Sequence, residues 1–281
     1  MIEVVNIPYE NGKTLPGYFI RGGAPGEKWP TLLNIGGGDT TTEEMYWLSG
    51  VGAVRRGYNA LCFEVPGQKA TMFESPDLHF RPDVEAPIRY AVDYVLTRPE
   101  VDPERIALIG HSVGGYLAPR AAAFEKRLAA CIASPIITSL QAGFLSTMGF
   151  DPSKPYPRDM ESYIDPKNTT ARFITEGDLR WRFGHGNTTL AEWVDYLGEF
   201  TILGLEEKIT CPLLQMVGEG EYSPEKLEEV KRYFTKFKNP KNRLNITRAE
   251  EGGEMHCTQN NLRLKHQMEM DWLDEVFGFG L

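Results

Sequence analysis

The chain opens with two stretches in which apolar and other residues alternate, residues 1–9 (MIEVVNIPY) and 14–22 (TLPGYFIRG). A period of two on either side of the turn pair Asn11-Gly12 predicts an antiparallel hairpin. The pattern then changes. Short apolar runs occupy residues 31–37, 59–65, 105–110, 128–135, 212–218 and 242–249. Stretches of helical period, residues 43–56, 84–97, 113–125, 223–238 and 262–277, lie between and after them. Runs that are apolar throughout suit strands buried on both faces. Their alternation with helices predicts an α/β fold with a mostly parallel, doubly wound sheet.

Residues 138–207 interrupt this rhythm. They carry the Pro-rich stretch GFDPSKPYPRDM, then LRWRFGHGN, then an amphipathic segment with Leu190, Trp193, Val194, Leu197 and Phe200 at helical spacing. Long insertions between core elements of α/β folds commonly lie over the functional edge. The expected organisation is therefore a core in two parts, residues 1–137 and 208–281, with an inserted cap at 138–207. Its aromatic side chains, among them Trp181, Phe183 and Trp193, suit an apolar or planar small-molecule substrate or fill the cap's own core.

The candidate chemistry centres on Gly110-His111-Ser112-Val113-Gly114, which follows an apolar strand and leads into a helical stretch. A serine at a sharp strand-to-helix turn, flanked by glycines, presents its hydroxyl above the carboxyl end of the sheet. Such a hydroxyl is a weak nucleophile until a base takes its proton and a third group orients that base. Downstream lie His185, within the insertion, His266, within the last helical stretch, and His256, in the loop between the last strand and the last helix. His256 is the expected base. The loop after residues 212–218 offers Glu221 as the expected acid and Glu219 as its alternative. An oxyanion formed at Ser112 needs fixed N–H donors, expected at Val113 and in the glycine-rich loop NIGGGDTT, where Gly36, Gly37 and Gly38 let an amide point into the site. That loop lacks the lysine of a phosphate-binding P-loop.

Composition narrows the partners. The chain of 281 residues carries a net charge of −9 and no basic block, so a nucleic-acid or anionic-membrane footprint is not expected. The first residues read as neither signal nor anchor. Cys62, Cys131, Cys211 and Cys257 are scattered without a Cys-x-x-Cys pair, which points to free thiols in a reducing, cytoplasmic setting. No spacing suggests a metal or an organic cofactor.

With these parts in place, the chain resembles the α/β-hydrolase superfamily from about residue 14 to its C-terminus. The strings TLPGYFIRG, GGGDTTTEEMYW, RRGYNALCFEVPGQ, FRPDVE and RPEVDPERIALIGHSVGGYLAPRAAAFEKRLAACIA are similar to the subfamily of 2,6-dihydroxypseudooxynicotine hydrolase and of fungal hydrolases that shorten polyketide naphthopyrone precursors. The resemblance implies an acyl-serine mechanism that hydrolyses a C–C bond beside a ketone, or an ester. It matches Ser112, Glu221 and His256 to the triad, and Val113 and Gly38 to the oxyanion hole. Carbon–carbon cleavage also requires protonation of the leaving carbon, for which Glu43 and Glu44 are candidate auxiliary acids, or else a charged first helical turn. A plain carboxylesterase, an aminopeptidase-like hydrolase and a non-catalytic ligand-binding protein are the alternatives. The chain departs from the family in using Glu where Asp is usual. It also begins almost directly at the first strand, where relatives carry a helical segment that helps to close the site. A more open pocket, or one completed by a second subunit in a homodimer, is therefore expected.

Overall fold

The computed structural model describes residues 2–279. Eight strands form one sheet in the order β1-β2-β4-β3-β5-β6-β7-β8. They are β1 (Ile2–Pro8), β2 (Thr14–Ile20), β3 (Trp29–Ile35), β4 (Asn59–Phe63), β5 (Val101–His111), β6 (Ala130–Ser134), β7 (Leu213–Gly218) and β8 (Arg243–Thr247). The hairpin is present: β1 pairs antiparallel with β2 from Ile2↔Ile20 to Pro8↔Thr14. Asn11 and Gly12 both take the left-handed conformation at its turn, at φ 55° and 75°. From β4 onward along the sheet, every pairing is parallel.

Within the runs of β3 to β7, successive side chains go to opposite buried faces, which explains why polar residues do not alternate in them, whereas the edge strand β8 alternates Arg243, Leu244, Asn245, Ile246 and Thr247 and is largely half-buried. Leu33, Ile35, Leu61, Phe63 and Leu108 join one core cluster. Leu32, Ala60, Cys62, Ala107 and Ile109 join the other. Helices Glu85–Leu96 and Gly114–Phe124 contribute buried residues to the first layer, and helix Leu262–Phe277 to the second.

The stretch expected as one helix over residues 43–56 contains a five-residue π turn at Tyr46–Gly50. His266 Nε2 lies 2.9 Å from the Trp47 carbonyl oxygen and 3.1 Å from that of Leu48, so an imidazole N–H supplies partners for carbonyls that the turn displaces. A short helix, Lys69–Glu74, escapes periodicity analysis because six residues hold less than two turns.

Sheet order fixes where a site can form. The chain passes from β3 to β4 on one side and then to β5 on the other, so the order reverses between β3 and β5. Loops leaving the carboxyl ends of those two strands flank a crevice at this switch point. They are the glycine loop that begins at Gly36 and the turn that holds Ser112.

Between β6 and β7 the chain runs through helices Leu140–Thr147, Thr169–Glu176, Leu179–Arg182 and Leu190–Leu197. Both ends of this excursion are tied by a bridge between Ser139 and Thr201. Among the described residues, no helix is long and apolar enough to cross a membrane.

Candidate active site

Ser112 stands on the turn between β5 and helix Gly114–Phe124 with φ 55°, a conformation that L residues other than Gly rarely hold. Close backbone packing enforces it. A Cβ on Gly110 would lie 2.0 Å from the Gly114 carbonyl oxygen, and one on Gly37 would lie 2.7 Å from Ser112 Cβ. The glycine loop after β3 is thus pressed directly against the serine. The Ser112 amide donates to the Ser134 carbonyl oxygen at 2.8 Å, tying the turn to the end of β6.

That same Ser134 oxygen accepts from Cys257 Sγ at 3.0 Å. One carbonyl therefore holds both the serine turn and the residue that follows His256. Cys257 and Thr258 are left-handed as well, at φ 57° and 55°, and both are buried. Thr258 is β-branched, so this is a strained corner, secured by the Met255 carbonyl (2.8 Å from the Thr258 amide) and by the Thr247 hydroxyl at 3.3 Å.

His256 Nδ1 pairs with Glu221 Oε2. The Glu221 carboxylate is 6 % exposed, against 50 % for the imidazole, and its other oxygen accepts from the Gly218 amide at 2.8 Å. Burial of the imidazole opposes its protonation, but hydrogen bonds to Cys257 and Glu221 outweigh this and raise its pKa above the usual histidine value. Glu219 points elsewhere: it accepts from the Ala249 amide at 2.6 Å and lines a cleft of about 680 Å³ with Leu227, Lys231 and Ile246. Of the two carboxylates in this loop, Glu221 is the one joined to His256.

The side chains of His185, His266 and His111 are engaged with partners other than Ser112. His185 stacks on Tyr196 at 4.5 Å, and His266 caps the π turn. His111, buried under the sheet end, has its Nε2 3.1 Å from Asn34 Oδ1, and burial holds its pKa well below the ordinary value. Beneath the same strand ends lies a polar network that the sequence did not reveal. Lys265 Nζ, fully buried, donates to Glu269 at 2.9 Å and to Ser134 Oγ at 3.3 Å, and Ser49 donates to Glu269 at 3.0 Å.

Gly38 and Val113 are buried neighbours: a Cβ on Gly38 would come within 3.5 Å of Val113 Cγ2. Neither amide donates to a backbone acceptor among the described residues. The Gly37 amide, by contrast, is taken by Thr40 Oγ1 at 2.9 Å.

Glu43 and Glu44 are engaged as the alternative reading, a charged first helical turn, expects. Glu44 closes a capping box with Thr41, accepting from the Thr41 amide at 2.7 Å. Glu43 accepts from the Tyr18 hydroxyl at 2.8 Å, and that hydrogen bond lowers its pKa. Both are exposed, and Glu43, held in its ionised form by that bond, is a poor proton donor.

The three aromatic residues expected at the substrate also separate. Trp193 and Phe183 are buried, with ring centroids 5.8 Å apart, Phe144 5.3 Å from Trp193 and Phe200 5.2 Å from Phe183. Phe183 also packs 4.7 Å from Phe80, so these rings join residues 138–207 to the main core. Trp181 is half-exposed and lines a cleft of about 320 Å³ with Met72, Phe73 and Arg182. Trp193→Ala is accordingly expected to cost about 3–5 kcal/mol of stability, as large-to-small core changes do. Urea denaturation should show that loss, with KM at low denaturant unchanged.

A model of the alpha/beta hydrolase family matches residues 22–239. The chain belongs to this family. Hydrolase acrC of Aspergillus aculeatus is 31% identical over 312 residues, covering 97% of this chain and 69% of that protein. The 20-hydroxy-prefusarin hydrolase FUS2 of Gibberella moniliformis is 29% identical, covering 98% and 70%. Alpha/beta hydrolase psoB of Aspergillus fumigatus is 32% identical, and this chain spans 52% of it. Among solved structures, 2,6-dihydroxy-pseudo-oxynicotine hydrolase superposes with a TM-score of 0.71 at 21% identity, covering 99% of this chain and 68% of that one. Est1E from Butyrivibrio proteoclasticus gives 0.66 at 19%, covering 98% and 99%. These structures share the alpha/beta hydrolase fold, and the named relatives identify this family member as a hydrolase.

Proposed function

We propose that this alpha/beta hydrolase is a serine hydrolase in which Ser112 attacks a carbonyl carbon, His256 takes the hydroxyl proton, and Glu221 holds the imidazole in the required tautomer. The observation that carries this reading is the shared anchor at Ser134, whose carbonyl binds the Ser112 amide and the Cys257 thiol while His256 pairs with Glu221. The tetrahedral oxyanion is received by the amides of Val113 and Gly38. Collapse of that intermediate releases the leaving group with a proton from the His256 imidazolium and leaves an acyl-Ser112, which water hydrolyses with His256 again as base. Residues 138–207 form the cap over this crevice and select the substrate.

The substrate is an aromatic or polyketide-like ketone, cleaved at the C–C bond beside the carbonyl, or the corresponding ester. The sequence resemblance to the subfamily described above supports the first form, and the names of FUS2 and of 2,6-dihydroxy-pseudo-oxynicotine hydrolase describe hydrolases of a prefusarin and of a pseudo-oxynicotine. A carbanion leaves far less readily than an aryloxide, and with Glu43 and Glu44 engaged locally the leaving group of either form takes its proton from the His256 imidazolium. Turnover of a matched aryl β-diketone and aryl ester decides between them. Cleavage of both by wild type and neither by Ser112→Ala is the expected result for the C–C reading, whereas cleavage of the ester alone makes the protein an esterase.

A further inference from the structure

The glycine loop after β3 is held from two sides by buried side chains outside the triad. Gln68 is fully buried. Its Oε1 accepts from the Val65 amide at 2.8 Å, which fixes the orientation of the carboxamide, and its Nε2 donates to the Gly37 carbonyl at 3.0 Å. A peptide group is planar and trans, so holding the Gly37 carbonyl toward Gln68 turns the Gly38 N–H to the opposite side. Arg182, only 2 % exposed, donates Nη1 to the Gly38 carbonyl and Nη2 to Asp178 at 2.8 Å. Both peptide groups flanking Gly38 are thereby pinned.

Arg182 comes from residues 138–207, and its neighbourhood is docked on the core at this point. The Phe80 amide donates to the Arg182 carbonyl at 2.9 Å, and Leu179 Cδ1 would lie 3.0 Å from a Cβ on Gly38. Consecutive glycines sample a wide range of backbone angles, whereas an oxyanion donor is effective only if it is aimed before the charge develops.

We propose that Gln68 and Arg182 are positioning residues for the Gly38 amide, and that Arg182 makes its alignment depend on the seating of the inserted segment. This deepens the acyl-transfer reading and rests on it.

The test compares wild type with Gln68→Met, Arg182→Met, Arg182→Lys and Ser112→Ala, each checked for a cooperative thermal transition. The readouts are kcat and KM for an aryl ester and the inhibition constant of the matched aryl trifluoromethyl ketone, whose hemiketal with the serine carries the oxyanion. Both methionine variants are expected to lose about 10- to 100-fold in kcat/KM, somewhat less than outright removal of a donor. KM should stay within roughly threefold, the inhibition constant should rise in proportion to the lost kcat/KM, and the acidic limb of the pH profile should not move. Arg182→Lys keeps one donor and should recover part of the loss. Wild-type inhibition constants in folded methionine variants would overturn the proposal, as would losses confined to KM. If Arg182→Met does not fold, Gln68→Met and Arg182→Lys carry the decision. A trifluoromethyl ketone that inhibits wild type and Ser112→Ala equally would instead bring down the underlying acyl-transfer reading.

Discussion

Ser112→Ala is expected to lower kcat by about 10⁴- to 10⁶-fold, the range seen when a triad nucleophile is removed and only binding and oxyanion stabilisation remain. The thermal midpoint should barely move. Alanine keeps the Cβ that packs beside Gly37 and the backbone bond to Ser134, and it bears the same left-handed strain at φ 55° as serine. Ser112→Gly separates the two properties. Glycine occupies that conformation without a Cβ penalty, so it should be as inactive as alanine but more stable by about 1 kcal/mol. Matched steady-state assays and urea melts check both halves. Retention of more than about 5 % of turnover by either variant would remove Ser112 from the chemistry, and equal stability of the two would show that the turn is not strained.

The parts of this molecule that were legible in sequence are those set by local pattern. Apolar runs located the six strands of the parallel region because burial on both faces makes the central strands apolar, as in Leu32-Leu33 and Ala107-Leu108-Ile109, apart from single buried polar residues such as Asn34 and Gln215, while the edge strand β8 keeps Leu244 and Ile246 between polar neighbours. Asn11-Gly12 marked its hairpin for a similar reason, since few residue pairs accept two left-handed angles. His256 and Glu221 were reachable from chain order alone, yet nothing in the spacing separated Glu221 from Glu219. That choice depends on which carboxylate folds back onto the Gly218 amide and which one meets Ala249, a contact 30 residues away. Glu43 and Glu44 stayed open between two readings for a related reason: Thr41-x-x-Glu44 is a capping signal, but Tyr18, on a distant strand, meets Glu43 only in the folded chain. Gln68, Lys265 and Glu269 were not singled out, because a polar residue in a polar-looking stretch gives no sign that it is buried, and Arg182 was passed over as well. A usable hint existed at Arg182 in LRWRFG, a cation set among residues that read as apolar.

Glu221→Gln against Glu219→Gln is the sharpest test of the site. A glutamine in place of Glu221 keeps the size of the side chain, and its oxygen can still accept from the Gly218 amide, so the loop should stay folded. What the variant loses is the negative charge at His256 Nδ1. The imidazolium that forms as Ser112 gives up its proton then has no counter-charge, and an amide N–H facing Nδ1 would select the wrong tautomer. A fall in kcat of about 10³- to 10⁴-fold is expected on that account. The pH profile provides the sign. Glu221 contributes to raising the pKa of His256, and the catalytic base is the neutral ring, so wild-type activity should fall as pH drops through a value above the ordinary 6.5. Removing the anion lowers that pKa, so the acidic limb of the weakened variant should move to lower pH. Glu219→Gln retains an oxygen for the Ala249 amide and leaves the pair untouched, so kcat should stay within about twofold, with the limb unmoved. If the two variants exchange these behaviours, the carboxylate that orients His256 is Glu219, and the loop rearranges when substrate binds.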